Sequence, residues 1–282
     1  MLGNQSGGPA GGGHDPYIAA TPAPANIVQA LQNVPASELA AAGNGSATVG
    51  AKASGANLIR LSGKPLSSGG KPEIVYLGSE YCPFCAATRW PLTIALDRFG
   101  SFTGLETTAS TPLDTYPDTH TLSYATAKYT SKYIVFNSTE ELSNVCPTNL
   151  VIRNTSGSGP AYECSGGQYK PLQSVSKSVA TLASTIDSVA YFGSLDQNGA
   201  GIPFIDFGGK YAESGAVYDA QILQGASWSQ IIRSFQVPNE GVGQAILGAA
   251  NKYTAMICKM TGDKPGSVCS SSFVKAAEKS LG

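Results

Sequence analysis

Apolar positions along the chain follow two rhythms, and the rhythms mark out elements. Glu73 to Gly78 is an almost unbroken apolar run, the pattern of a strand buried on both faces. A helical period follows over Ala87 to Phe99: Leu92, Ala95, Leu96 and Phe99 share a face, with Trp90 and Ile94 beside it. Arg89, Thr93 and Asp97 lie four apart and form a polar stripe on that helix. Pro91 sits inside it and predicts a kink, and Gly100 ends it. The most regular helical period is Leu172, Val175, Val179, Leu182, Ile186 and Val189. Two further helices are predicted over Gln221 to Phe235 and from an Asn239 cap through Met260, where Gly262 and Pro265 break the run. Ser271 to Leu281 reads as a last short helix.

Strands are predicted at Leu58 to Leu61, Phe102 to Ser110, Lys132 to Phe136 and Ile202 to Phe207. Pro203 has no N–H to pair within a sheet, so it belongs at the start or edge of its strand. Gly208-Gly209 predicts a hairpin into Lys210 to Val217. Ile27 to Leu31 and Ala36 to Ala42 predict short helical turns. Lys64 to Lys71, Thr111 to Thr119 and Asn198 to Gly201 read as turns, and Asn137 to Lys170 as loop. Residues 1–25, rich in Gly, Pro and Ala, read as a flexible linker or tail. Residues 26–282 then form a single domain, with an insertion over 137–191 and a helical extension over 237–282. The period alternates between strand and helix, which predicts the α/β class.

Charge narrows the function. Of 282 residues only 13% are charged, the net charge is −1, and no basic patch or acidic block occurs. Nucleic acid is therefore not an expected partner. No run of about 20 apolar residues is present, so no segment spans a membrane as a helix. The first residues have neither a positive region nor an apolar core. They are not an intact signal peptide: either the protein is cytoplasmic, or this is a mature end whose export segment or membrane anchor has been removed, and the cysteines favour the second.

Six cysteines allow many pairings. Proximity favours Cys146 with Cys164 and Cys258 with Cys269 as structural disulfides, leaving Cys82 with Cys85. The first pair would staple a loop, contributing about 3 kcal/mol by restricting the unfolded chain. Disulfides closing short loops point to an oxidising, extracytoplasmic compartment.

The chemistry gathers at Glu80-Tyr81-Cys82-Pro83-Phe84-Cys85. Two cysteines two residues apart, between a strand and a helix, make a redox motif. A sulfur in the first helical turn meets unpaired N–H groups and the positive end of the helix dipole, which favours thiolate over thiol. Cys82 is thus the expected nucleophile and Cys85, one turn in, the resolving thiol. Pro83 suits a first turn, where its missing N–H is not needed. Glu80, the carboxylate nearest in sequence, reads either as a solvated side chain or as a proton relay. A zinc site needs about four ligands, and only His14 and His120 are available as histidines, so no metal is expected. No nucleotide or flavin motif is present and no cofactor is expected.

The order strand, C-x-x-C, helix, strand, helix, proline-led strand, hairpin partner, helix resembles thioredoxin. More closely, the chain is similar to a prokaryotic family of thioredoxin-like proteins, a domain of unknown function whose members are often membrane-anchored and outward-facing. Gly63-Lys64-Pro65-Leu66, Ser79 to Ala87, Arg89-Trp90, Ile202-Pro203-Phe204-Ile205 and Ile257 to Gly262 carry the likeness, over roughly residues 25–282. It implies a thioredoxin-like fold with a disulfide-stapled inserted loop plus helix and a C-terminal helical extension. It implies a cis bond at Ile202-Pro203, packed against the motif. Tyr81, Pro83, Phe84, Ile202 and Pro203 would then contact substrate. The implied activity is thiol–disulfide exchange on protein dithiols and disulfides outside the cytoplasm, with a membrane-embedded thiol oxidase as a partner by analogy. The chain departs from thioredoxin at Tyr76, where thioredoxins carry a buried aspartate that assists proton transfer from the second cysteine. An oxidase, an isomerase or a specialised reductase all fit. Two other classes remain: a binding module with a locked Cys82–Cys85 disulfide, and metal storage through the same pair.

Overall fold

The computed structural model describes residues 17–46, 48–54, 56–146, 169–193 and 201–282, and the backbone of the paired strands Val151–Asn154 and Pro160–Glu163. A seven-stranded mixed sheet organises it, in the order Val135–Glu140, Lys71–Gly78, Phe204–Phe207, Tyr211–Ser214, Leu58–Arg60 and Val49–Gly50, with Ser67–Ser68 paired to the start of Lys71–Gly78. Val135–Glu140 runs parallel to Lys71–Gly78, and Phe204–Phe207 runs antiparallel to it on the other side. The apolar run read as a buried strand is thus flanked by neighbours on both edges.

Strand alternation then sorts residues between two cores. Ile74, Tyr76, Ile205, Phe207 and Leu58 join the larger core under the helices Pro83–Asp97 and Gly241–Thr261. Ile59, Phe204 and Ala212 point the other way, into a smaller core with Ala183 and Phe192. The helix Lys177–Ile186 covers that second face. Smaller sheets flank the larger core, among them Thr21–Pro22 with Glu106–Ala109 and His120–Ser123.

The helix Pro83–Asp97 runs through Pro91. A proline there cannot donate to the carbonyl four residues back, that of Ala87. The Tyr218 hydroxyl donates to that carbonyl instead, at 2.7 Å. Tertiary structure thus supplies the donor that the sequence withholds.

Several elements differ from the sequence reading. Leu172 and Val175 lie outside the helix, which begins only at Lys177 behind a Ser176 cap. Leu172 and Gln173 instead donate backbone N–H bonds to Glu141 and Glu140. The strand expected to end at Phe136 continues to Glu140, so the first residues assigned to the insertion belong to the main sheet. Phe102 to Ser110 is two strands, Gly100–Thr103 and Glu106–Ala109, broken at Gly104 with φ +70°. Gln221 to Phe235 is a short 3-10 turn, Ala220–Leu223, and a separate helix, Trp228–Ser234. Glu240, not Asn239, occupies the N-cap position of the helix Gly241–Thr261, without a side-chain capping hydrogen bond.

Residues 17–25 are not a free linker: Ile18 accepts hydrogen bonds from Thr108 and Asn144, and Thr21–Pro22 joins a sheet. Residues 1–16 lie outside the described residues. Cys258 and Cys269 are disulfide-bonded, joining Gly241–Thr261 to the short helix Gly266–Cys269. Cys146 is also disulfide-bonded. Cys164, read as its partner, lies outside the described residues.

Candidate functional site

The central strand delivers the chain to the dithiol. Lys71–Gly78 ends, and the loop Ser79 to Tyr81 is held by its backbone: Glu80 N–H donates to Leu142, and Thr111 N–H donates to the Tyr81 carbonyl. Cys82 is then the N-cap of Pro83–Asp97, and its Sγ accepts the Cys85 N–H at 3.3 Å. Both cysteines are free thiols. Across the sheet the Ile202-Pro203 bond is cis, and Pro203 leads into Phe204, which pairs with Leu77. That register brings the Ile202 carbonyl to Cys82, whose thiol donates to it at 3.6 Å. Residues 120 positions apart in sequence therefore meet at one sulfur.

Access to that sulfur is narrow. Cys82 is 4% exposed and Cys85 is sealed. Phe84, 38% exposed, stands edge-on to Tyr116, and Tyr81 stacks on Tyr169 at 4.3 Å between ring centroids. These rings give the mouth an aromatic rim. Tyr116 and Tyr169 were not singled out in the sequence, because each sits in a stretch read as turn or loop.

Below the sulfurs lies a buried polar cluster. Arg89, four residues after Cys85, is fully buried, as is Glu140 at the end of the neighbouring strand. They pair bidentately: Nε donates to Oε1 at 2.8 Å and Nη2 to Oε2 at 2.7 Å. Nη2 also donates to the Ser79 carbonyl, while Nη1 has no hydrogen-bond partner among the described residues. Arg89 and Thr93, read as a polar stripe, face inward to this cluster and to Tyr124. Glu80 is not solvated: it is buried and accepts a 2.6 Å hydrogen bond from Ser123, and burial pushes its carboxyl above the usual range. Burial pushes the Cys85 thiol well up too, and Cys82 and Glu140 add to that while Arg89 opposes it.

Tyr76 lies in the same cluster, fully buried, its hydroxyl without a hydrogen-bond partner among the described residues. Its ring passes directly over Gly78, where a Cβ would collide with the hydroxyl and the ring. Gly78→Ala should lower unfolding free energy by about 1–3 kcal/mol through this overpacking, read by chemical denaturation. An unchanged midpoint would mean that Tyr76 has another place to go.

On the other side of the helix Pro83–Asp97, Thr88 donates to buried Glu213, which also accepts from the Tyr253 hydroxyl at 2.6 Å. Burial pushes Glu213 up to about 8, so it is a neutral acid at neutral pH. A cavity of about 660 Å³ opens on the opposite sheet face, lined by Leu66, Val75, Asn137, Leu182, Ile186 and Tyr191. It holds none of the site residues predicted from sequence. Among the described residues, no three His, Cys, Asp or Glu side chains gather as a metal site, and no helix is long and apolar enough to cross a membrane.

The site belongs to a mixed α/β protein with a free dithiol at a helix N-terminus, beside a cis-proline strand. Residues 57–259 match the family described as domain of unknown function DUF929, and the chain belongs to that family. No curated protein and no solved structure matches the chain.

Proposed function

We propose that this protein is a thioredoxin-like thiol–disulfide oxidoreductase that acts on protein dithiols and disulfides outside the cytoplasm. One observation carries the reading: a cysteine sulfur caps a helix, accepts the N–H of a second free cysteine, and lies 3.6 Å from the carbonyl before a cis-proline. The helix end offers N–H groups to a sulfur anion. The proline-led strand offers backbone along which an extended substrate can lie as an added strand. The order of elements around the sheet supports the thioredoxin likeness. The Cys258–Cys269 disulfide and the bonded Cys146 support an oxidising compartment.

Cys82 attacks one sulfur of a substrate disulfide and forms a mixed disulfide, releasing the other sulfur as thiolate. Cys85 then attacks Cys82, closing the intramolecular disulfide and releasing the second substrate thiolate. The dithiol loses two electrons and two protons, and the substrate disulfide gains the electrons; the reverse sequence oxidises a substrate dithiol. The narrow mouth and its aromatic rim favour a restricted set of partners, with a membrane-embedded thiol oxidase as the candidate electron acceptor.

A Cys85→Ala variant tests the reading. In its native cells it should accumulate mixed disulfides at Cys82 that dithiothreitol releases, and Cys82→Ala should accumulate none. An empty trap under oxidising growth, with a Cys82–Cys85 bond as resistant to dithiothreitol as Cys258–Cys269, would favour a binding module on the same scaffold.

A further inference from the structure

Resolution of a mixed disulfide requires Cys85 to carry negative charge where no water reaches it. The groups whose charge or hydrogen bonding acts on its thiol are Cys82 and Arg89 from its own helix, Tyr76 from the central strand and Glu140 from the strand beside it. Arg89 in turn acts on Glu80 and Tyr124, and the Tyr124 hydroxyl donates to the Arg89 backbone carbonyl. Only Arg89 is positively charged, and it lies one helical turn from Cys85 on the same face. Glu140 fixes it bidentately, which a point-like ammonium would not reproduce. Its Nη1 is left buried with no acceptor among the described residues. A buried donor of this kind is unfavourable unless an acceptor forms beside it.

We propose that Arg89, oriented by Glu140, is the positioning residue of the resolving step, its fixed charge stabilising the Cys85 thiolate as that sulfur attacks the Cys82 mixed disulfide. This rests on the dithiol-exchange reading above. In the step, the Cys85 sulfur gives up its proton and forms the bond to Cys82, and the departing substrate sulfur takes the electron pair of the broken S–S bond and carries that proton out to solvent. Glu140 acts in the opposite sense: its charge opposes the thiolate while its geometry holds the arginine. Of the pair, Arg89 exerts the larger effect on Cys85.

The pair therefore makes two predictions of opposite sign. Single-turnover reaction of the reduced protein with dithio-bis-nitrobenzoate releases one coloured thiolate as Cys82 reacts and a second as Cys85 resolves. In the neutral double variant R89Q/E140Q, the second release should slow severalfold, because thiolate formation at Cys85 is displaced to higher pH. Ultraviolet thiolate absorbance of Cys85 in a Cys82→Ser background reads that displacement directly. In E140Q alone, both readouts should move the other way. If E140Q does not fold, as judged by circular dichroism, the double variant decides alone. Equal second-release rates in wild type and double variant, or displacement of both variants in the same direction, would overturn the role of Arg89. A wild-type protein that never releases the second thiolate overturns the exchange reading itself, and the resolving role falls with it.

Discussion

Arg89→Met is expected to destabilise the protein by about 3–5 kcal/mol, the largest loss for any single side chain in the site. The loss comes from what remains. Glu140 would stay fully buried, stripped of two charge-assisted hydrogen bonds, and the Ser79 carbonyl would lose its 2.7 Å donor. Against a typical domain stability of about 5–15 kcal/mol, that decides whether the chain folds at growth temperature. Arg89→Met with Glu140→Met should recover most of the loss, because a well-packed apolar pair replaces a buried ion pair at little cost. Urea denaturation of the three proteins checks both statements. A single variant within about 1 kcal/mol of wild type would mean that the pair is solvated in solution, like a surface salt bridge.

Glu213→Gln is expected to flatten the fall of stability with rising pH. Folding raises this carboxyl from 4.5 to about 8, mainly by burying it, with the Tyr253 and Thr88 hydrogen bonds opposing the rise. Below pH 4.5 the folded and unfolded chains both hold the proton, so stability does not depend on it there. Between that value and about 8 the unfolded chain has released its proton while the folded chain keeps it. Each pH unit then removes on the order of 1.4 kcal/mol of stability, and above the folded value the loss is complete. Asp97, raised to about 7, and Asp206, raised to about 6, slope the same way, both chiefly through burial. The amide of the E213Q variant still accepts from Tyr253 and releases no proton. Its unfolding free energy should therefore vary less between pH 5 and 8 than that of wild type, and exceed it near pH 9. Parallel profiles for the two proteins would place the proton uptake elsewhere.

The dithiol was legible because its signal is local. C-x-x-C between an apolar run and an amphipathic run names a strand-to-helix turn, and Pro203 before Phe204-Ile205 names the start of a strand. The buried cluster was not legible for the opposite reason. Arg89, Thr93 and Asp97 at helical spacing look like a solvated stripe whichever way the helix is turned. Only Glu140 and Tyr124, 51 and 35 residues away from Arg89, turn that stripe inward. Glu140 itself sat in a stretch read as loop, because Asn137-Ser138-Thr139-Glu140 lacks an apolar run, although it completes a parallel strand. The helix at Lys177 misled in another way. Leu172 and Val175 fit its period, yet their neighbourhood pairs with Glu140 and Glu141, since ladder hydrogen bonds there outweigh local propensity.

The sequence by itself determined the α/β alternation, the two sulfurs at a helix mouth and the proline that opens the strand Phe204–Phe207, because each depends on residues within a few positions of one another. The tertiary structure alone decided that a buried Arg89–Glu140 pair lies one helical turn from Cys85, that Glu80 and Glu213 are sealed acids, and that Tyr169 and Tyr116 pack on the motif's own Tyr81 and Phe84. Burial and charge pairing are properties of neighbours in space, and these neighbours come from strands and loops far apart along the chain.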